Sequence, residues 1–464
     1  MRHLFIDFET YSETDIKKAG NYKYCEDKSF EILLCGFMWD TDTDVSIIDL
    51  TKPAGLYGFN ELFTYVRNNE DVVIVAHNAT FERICLREYG FDISPMRFFC
   101  TANMSLYCGM PASLEAVSDI LNLDNKKRGT GKNLIRYFSI PCKPTKANGG
   151  RTRNLPEHAP DDWEEFKDYL RYDVLSEKEI FDKLSRFEFP EEEQRIYAAD
   201  QRINDYGILA DLELAHAAQD MDEEYKARLT ERAEKVFGLG SLKSMPQLKG
   251  FIKERTGVVI DSLDKNSMEE VVKTVAGLKN VTDEDKRAVL DVIGLRREIG
   301  KTSNAKYTAI LASAGRGNRI RGLFRYYGAN RTGRWAGRLV QLQNLPQNHI
   351  EDLDGARELA KMHDLDVMEV IYDKPTHILS QLIRTAFIAP EGYTFSVADF
   401  SAIEARVIAW VANEQWRLDL FNDPEADIYC ASASKMFGVP VHKGDDLRPV
   451  SYTHLRAHET AANL

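Results

Sequence analysis

The chain has 464 residues, 44% of them hydrophobic, with 60 Lys and Arg against 73 Asp and Glu and a formal net charge of −13. That length suits about three domains with sizeable cores, and no apolar run approaches the ~18 residues that a membrane-spanning helix needs. The seven cysteines are scattered, odd in number and without a C-x-x-C pair, which excludes a disulfide scaffold or zinc site and points to a reducing cytoplasm.

The N-terminus opens directly on a strand-like segment, with no signal-peptide layout ahead of Leu4–Phe8. The pattern predicts strands over His3–Thr10, Glu31–Trp39 and Val72–Ala76 and helices over Phe81–Tyr89 and Asp162–Leu184, an α/β alternation. Asp7 and Glu9 stand two apart on the first strand, so both project from one face. Like charges so placed repel, and a divalent cation relieves that; alone, D-x-E is a pattern any edge strand can show. His77 reads as a strand-end residue. Tyr169 and Asp173 fall one helical turn apart on one face, with Asp161 and Asp162 expected at that helix's N-cap and Glu164 and Glu165 in its first turn. From Lys126 to Arg153 there are nine Lys or Arg and no acid. The bulk charge disfavours nucleic acid, but such a cluster sets its own local field, so this stretch reads either as a solvated loop or as one that contacts DNA. Lys143–Pro160, rich in Pro, Gly and Asn, reads as surface loop.

From Pro190 helical periodicity dominates. Glu191–Asn204 is expected to end at Tyr206-Gly207, with Gly207 beyond the last turn. Long helices are expected over Leu212–Phe237 and Glu284–Leu311, and a strand over Ile320–Tyr327. Near the end, Tyr393, Phe395 and Val397 alternate like a strand with one buried face, and Asp399 follows on that face. A bare carboxylate there costs several kcal/mol unless a partner, often a metal, holds it. Ile403, Val407, Trp410 and Val411 then recur at helical spacing. Ser401 and Glu404 could be no more than a capping box.

The wording of these segments goes further than their geometry. Asp399-Phe-Ser-Ala-Ile-Glu-Ala-Arg406 resembles motif A of family A DNA polymerases. The resemblance implies that Asp399 binds the catalytic magnesium ions and that Glu404 blocks a ribose 2′-hydroxyl. Leu295–Glu298 with Lys301–Tyr307 resembles the family's thumb helix, which implies phosphate contacts for Lys301 and Lys306. Arg331–Arg334 and Gln341–Pro346 resemble the segments that read the minor groove without regard to sequence, so Arg334, Gln343 and Asn344 are the expected duplex contacts; Trp335 stands where the family more often has Leu. Gln381–Phe387, with Arg384, and Asp427–Ala431 continue the palm pattern. Ile6–Thr10, Ala76–Glu82 and Tyr169–Asp173 together resemble the three motifs of DEDDy-type 3′→5′ exonucleases. By that resemblance Asp7, Glu9 and Asp173 are metal ligands, Tyr169 orients the attacking water, and Glu82 occupies the place usually held by Asp.

The implied fold is a ribonuclease H-like α/β exonuclease domain (1–188), an α-helical thumb (189–318) and a partial α+β palm (319–449). The expected cofactor is Mg²⁺, two per active site, with Mn²⁺ as the substitute. The expected partners are primer-template DNA and deoxynucleoside triphosphates, with any processivity factor left open and no membrane. The flavour is phage-type, acting in the cytoplasm of a host cell. Residues 450–464 lack apolar periodicity and read as a non-native tail, in which His454 and His458 fall i, i+4 by chance. The fingers helix and second catalytic Asp are not found, so this polypeptide is expected to be truncated and unable to extend primers. Two alternatives remain: a stand-alone 3′→5′ exonuclease, and an inactive primer-template binding protein.

Overall fold

The computed structural model describes residues 1–124, 131–301, 303–372, 374–400, 402–423 and 425–448. The expected tail with His454 and His458, Ser401, Thr302 and the 125–130 part of the basic stretch therefore lie outside the described residues. Contacts group Met1–Pro390 into one compact unit and the residues from Glu391 onward into another.

The first unit begins with five strands: β1 (Arg2–Tyr11), β2 (Glu31–Trp39), β3 (Ser46–Asp49), β4 (Val72–Ala76) and β5 (Phe98–Cys100). They form one sheet in the order β3-β2-β1-β4-β5, with β1 antiparallel to β2 and parallel to β4. β4 is apolar throughout, and β1 is buried over most of its length although it carries Asp7, Glu9 and Thr10, because both faces of the sheet are covered. The helices of this part are α1 (Ile16–Cys25), α2 (Pro53–Asn68), α3 (Thr80–Glu88), α4 (Thr101–Tyr107), α5 (Leu114–Ile120), α6 (Gly131–Phe138) and α7 (Pro160–Leu184). Leu4, Ile6 and Phe8 share one core with Phe59 and Phe63 of α2 and with Ile84 and Leu86 of α3. Phe5, one residue out of phase, packs with Val174 of α7 on the opposite face. Each buried Phe contributes roughly 1.5–3 kcal/mol. The period of two therefore turns Asp7 and Glu9 toward α7.

α8 (Glu191–Tyr206) ends as expected at Gly207, which takes φ 62°. After β6 (Ile208–Ala210) come α9 (Leu212–Phe237), α10 (Met245–Thr256), α11 (Lys265–Gly277), α12 (Asp283–Ile299) and α13 (Ala305–Ser313). Their shared core holds Leu214, Ala218, Met221 and Tyr225 of α9 against Tyr307 and Ile310 of α13. The single helix expected over Glu284–Leu311 is two: the first stops at Gly300, and Asn304 restarts the chain by donating to buried Asp222 at 2.6 Å. The strand expected over Ile320–Tyr327 is also two, β7 (Arg319–Ile320) and β8 (Phe324–Ala329), divided at Gly322, whose φ of +71° and contact with the Tyr22 ring suit only glycine. β9 (Arg334–Gly337) pairs with β8 as a hairpin. α14 (Leu353–Met362), α15 (Leu365–Tyr372), α16 (Pro375–Leu382) and β10 (Phe387–Ile388) complete this unit, the last pairing with β6. No described helix is long and apolar enough to cross a membrane.

The second unit carries α17 (Ile403–Val411), α18 (Gln415–Phe421) and α19 (Ile428–Phe437). The strand expected around Tyr393–Val397 is absent: residues 391–400 are exposed and pair with nothing among the described residues. Alternation makes a strand only where a neighbouring ladder takes up its N–H and C=O groups.

Candidate active site

β1 carries two acidic side chains to α7, and the ladder changes register between Glu9 and Thr10. Such a bulge bends the strand and re-aims the side chains beside it. α7 meets this face of the sheet with a stripe spaced i, i+4, i+8: Tyr169, Asp173 and Glu177, all buried. Its N-terminal turn corrects one expectation. Ala159 is the N-cap and makes no side-chain bond, while Asp161 and Asp162 sit inside the first turn, where they favour the helix dipole rather than cap it.

The third contribution comes from the turn between β4 and α3. Glu82, in the first turn of α3, is buried and feels the charge of Asp7. Burial pushes its carboxyl well above the usual range, and the negative charge of Asp7 adds to that. Glu177 is raised likewise, by burial first and then by Asp7 and Glu82. One oxygen of Glu177 accepts the His77 backbone N–H at 2.8 Å, tying the β4–α3 turn to α7. Oε2 of Glu82 and Oε1 of Glu177 are buried with no hydrogen-bond partner. Tyr169 stays protonated: burial pushes its phenol up, and the charges of Asp173, Glu9 and Asp7, with a hydrogen bond to Asp173, act in the same direction.

Asp7, Glu9, Glu82, Tyr169 and Asp173 are thus brought to one place, with Glu177, which the motif reading missed. Its signal was present as a third acid-or-phenol one turn beyond Asp173. His77 stands apart as a structural residue, its ring nitrogens 2.9 Å from Thr101 Oγ1 and from the Ala112 carbonyl. Among the described residues no group of three His, Cys, Asp or Glu side chains is arranged closely enough to hold a metal ion. The cluster is a store of oxygen donors rather than a finished coordination shell. Its chemistry nevertheless fits hard divalent cations, which take carboxylate oxygens and relieve their mutual repulsion.

The Tyr169 ring has a close neighbour. A Cβ placed on buried Gly131, at the start of α6, would fall inside that ring. Gly131→Ala is therefore expected to displace Tyr169 and to cost about 1–3 kcal/mol of stability as overpacking, read by urea denaturation. Unchanged stability would mean that the ring yields without resistance.

The remaining candidates lie elsewhere. In the first unit Lys301 pairs with Glu298 at 3.0 Å and Lys306 donates to the Val340 carbonyl. Arg334 is exposed on β9, and Gln343 and Asn344 are exposed in the short 3-10 helix Leu342–Asn344 that follows. Arg384 donates to the Leu345 and Pro346 carbonyls, 2.8 Å each, so it holds the chain just after that helix in place. In the second unit Asp399 is exposed, not set on a buried strand face, so the desolvation cost expected for it does not arise. α17 starts with Ala402 as N-cap, and Glu404 is half-buried in its first turn.

The sequence profile described as DNA polymerase family A matches residues 213–448. A DNA polymerase of Bacillus phage SP02 is 47% identical over 452 residues, covering 97% of this chain and 67% of that protein. DNA polymerase I of Pseudomonas aeruginosa is 43% identical over 68 residues, 14% of this chain and 7% of that protein. Among solved structures, the POL domain of Pol1 from M. smegmatis, in complex with DNA primer-template and dNTP, has a similar fold, with a TM-score of 0.52 at 16% identity over 99% of this chain and 67% of that one.

Proposed function

The chain belongs to DNA polymerase family A, and we propose that it joins a 3′→5′ exonuclease built on residues 1–188 to part of the machinery of template-directed DNA synthesis. The observation that carries the exonuclease is the convergence of Asp7, Glu82 and Glu177, with Tyr169 bonded to Asp173, from three separate stretches of chain. The sheet order β3-β2-β1-β4-β5 supports a ribonuclease H-like domain. We assign residues 189–318 to a thumb and 319–449 to palm.

Phosphodiester hydrolysis needs a nucleophile made from water and relief of charge on the leaving oxygen; two divalent cations, Mg²⁺ or Mn²⁺, supply both when bound. Asp7, Glu9 and Asp173 would hold them through carboxylate oxygens, and Glu82, one methylene longer than Asp, would complete the set. Tyr169, kept protonated by its surroundings, donates its hydroxyl proton toward Asp173 and can orient the attacking water. Glu177 fixes the turn that delivers Glu82.

For the polymerase part, Lys301 and Lys306 would engage the duplex backbone. Arg334, Gln343 and Asn344 would read the minor groove of the primer end. Asp399 would ligate the metal of nucleotidyl transfer, and Glu404 would exclude a 2′-hydroxyl. The partners are primer-template DNA and deoxynucleoside triphosphates. The direct test is a 5′-labelled single-stranded oligonucleotide incubated with the purified chain and Mg²⁺. Stepwise shortening from the 3′ end, abolished by chelation, is expected; intact DNA bound by the protein would leave only a binding role.

A further inference from the structure

Trp335 of β9 has a partner that a purely apolar side chain could not have. Its indole Nε1–H donates to Oδ1 of Asp200 at 2.7 Å, across 135 residues of sequence. Asp200 lies on α8 and is 2% exposed. Its other oxygen accepts from Gln201 at 2.9 Å and Asn204 at 3.1 Å. Burial of a carboxylate is unfavourable unless donors converge on it, and here three do. Burial pushes its carboxyl up to about 6, so it still carries its charge at neutral pH.

Asp200 is one of four α8 residues that serve the same hairpin. Glu193 accepts from the Tyr326 hydroxyl. The Tyr197 ring lies 5.7 Å from that of Tyr326, and Trp335 meets Tyr326 edge-on at 5.9 Å. Asn204 accepts from the Phe324 N–H at 2.9 Å and donates to its carbonyl at 3.1 Å. Positions 193, 197, 200 and 204 follow i, i+4, i+7, i+11, one face of a helix. Each of the four has a partner on β8 or β9, although Tyr197 also meets the Thr80 hydroxyl of α3 at 3.2 Å. Arg334 is the residue next to Trp335.

We propose that this α8 stripe, with the Asp200–Trp335 bond at its centre, is a positioning device that fixes the β8–β9 hairpin and so sets Arg334 against the primer-template duplex. Asp200 and Trp335 are positioning residues for duplex binding. The inference rests on the reading of Arg334 as a duplex contact, so the test separates the two.

The full chain and its Trp335→Phe, Asp200→Ala, Asp200→Asn and Arg334→Ala variants would be titrated with a labelled primer-template hairpin and with a single-stranded oligonucleotide, and their melting temperatures recorded. Trp335→Phe keeps an aromatic ring at a position 48% exposed, so the variant is expected to fold. It should weaken duplex binding about tenfold, as loss of a hydrogen bond to a charged group does, with single-strand affinity unchanged. Asp200→Ala should match it, and Asp200→Asn, which keeps an accepting oxygen for the indole, should bind like the parent. Parent-like duplex binding by Trp335→Phe, beside a weakened Arg334→Ala, would overturn the inference alone. Parent-like binding by Arg334→Ala would overturn the reading beneath it. An equal loss for duplex and single strand, with a lower melting temperature, would reduce the stripe to packing and overturn the inference too.

Discussion

Asp7→Ala is expected to lower 3′-end cleavage of single-stranded DNA by about 10³-fold or more, the scale set by losing a charge that organises the reacting phosphate. The Asp7 charge acts on Glu82, Glu177, Tyr169 and Cys35. Those groups are buried and raised partly on its account. Removing it therefore has two effects of opposite sign. Cation binding weakens, so cleavage falls. The repulsion among buried acids also weakens, so stability should hold or rise slightly. The sign follows from linkage: an acid whose folded pKa is raised above its unfolded value contributes stability at low pH that is lost as pH rises through the folded value. Glu82 and Glu177 are such acids. The stability of the parent should therefore decline as pH rises above the ordinary glutamate range, and the decline should be shallower in Asp7→Ala. Urea titrations from pH 4 to 8, paired with the oligonucleotide assay, read both effects. Cleavage at the parental rate would remove Asp7 from the site.

How much of this was legible in the sequence depends on what the local pattern encodes. β2, β4 and α9 coincide with their expected spans because continuous apolar or helical periodicity is a local property. The faces taken by Asp7, Glu9, Tyr169 and Asp173 were legible from local spacing, whereas their grouping with Glu82 was implied only by the family resemblance. Glu177 and Asp200 were not found, since a buried acid on a charged helix looks like any solvated one until its tertiary partners are known. α10 and α11 were passed over because short helices with weak periodicity rely on packing for their definition. The breaks at Gly300 and Gly322 come from tertiary demands, the Asn304–Asp222 bond and the Tyr22 ring, that no window of sequence contains. The missing strand before Asp399 is the clearest case: Tyr393, Phe395 and Val397 have the right alternation but no described ladder partner.

The largest stability effect is expected at Arg83, which follows Glu82 on α3 and is 2% exposed. Its guanidinium grips the Asp205 carboxylate of α8 with two bonds, 2.9 and 2.7 Å, and donates to Gln201 Oε1 at 3.2 Å and to the Tyr22 hydroxyl at 3.3 Å. Arg87 adds a second cation to Asp205 at 2.7 Å. Burial would raise the Asp205 carboxyl, but Arg83 and Arg87 outweigh it and leave it below the usual carboxylate range. Arg83→Met keeps the aliphatic bulk and removes every one of these donors. Breaking a buried pair from one side typically costs about 3–5 kcal/mol; because Arg87 still faces Asp205, a value near the lower end is expected. The deficit has a pH signature. A depressed carboxylate contributes stability that is present above its unfolded pKa and is lost as pH falls through the folded one. The gap between Arg83→Met and the parent should thus be flat from neutral pH down to the ordinary aspartate range and narrow below it. Adding Asp205→Asn to Arg83→Met should recover part of the loss, since the carboxylate left facing one cation is then neutral. Because Glu82 is the neighbouring residue, the same variant should also slow 3′-end cleavage by loosening α3. A loss under about 0.5 kcal/mol, the range of ordinary surface substitutions, would show that the α3–α8 junction is held by its apolar contacts and not by this ion pair.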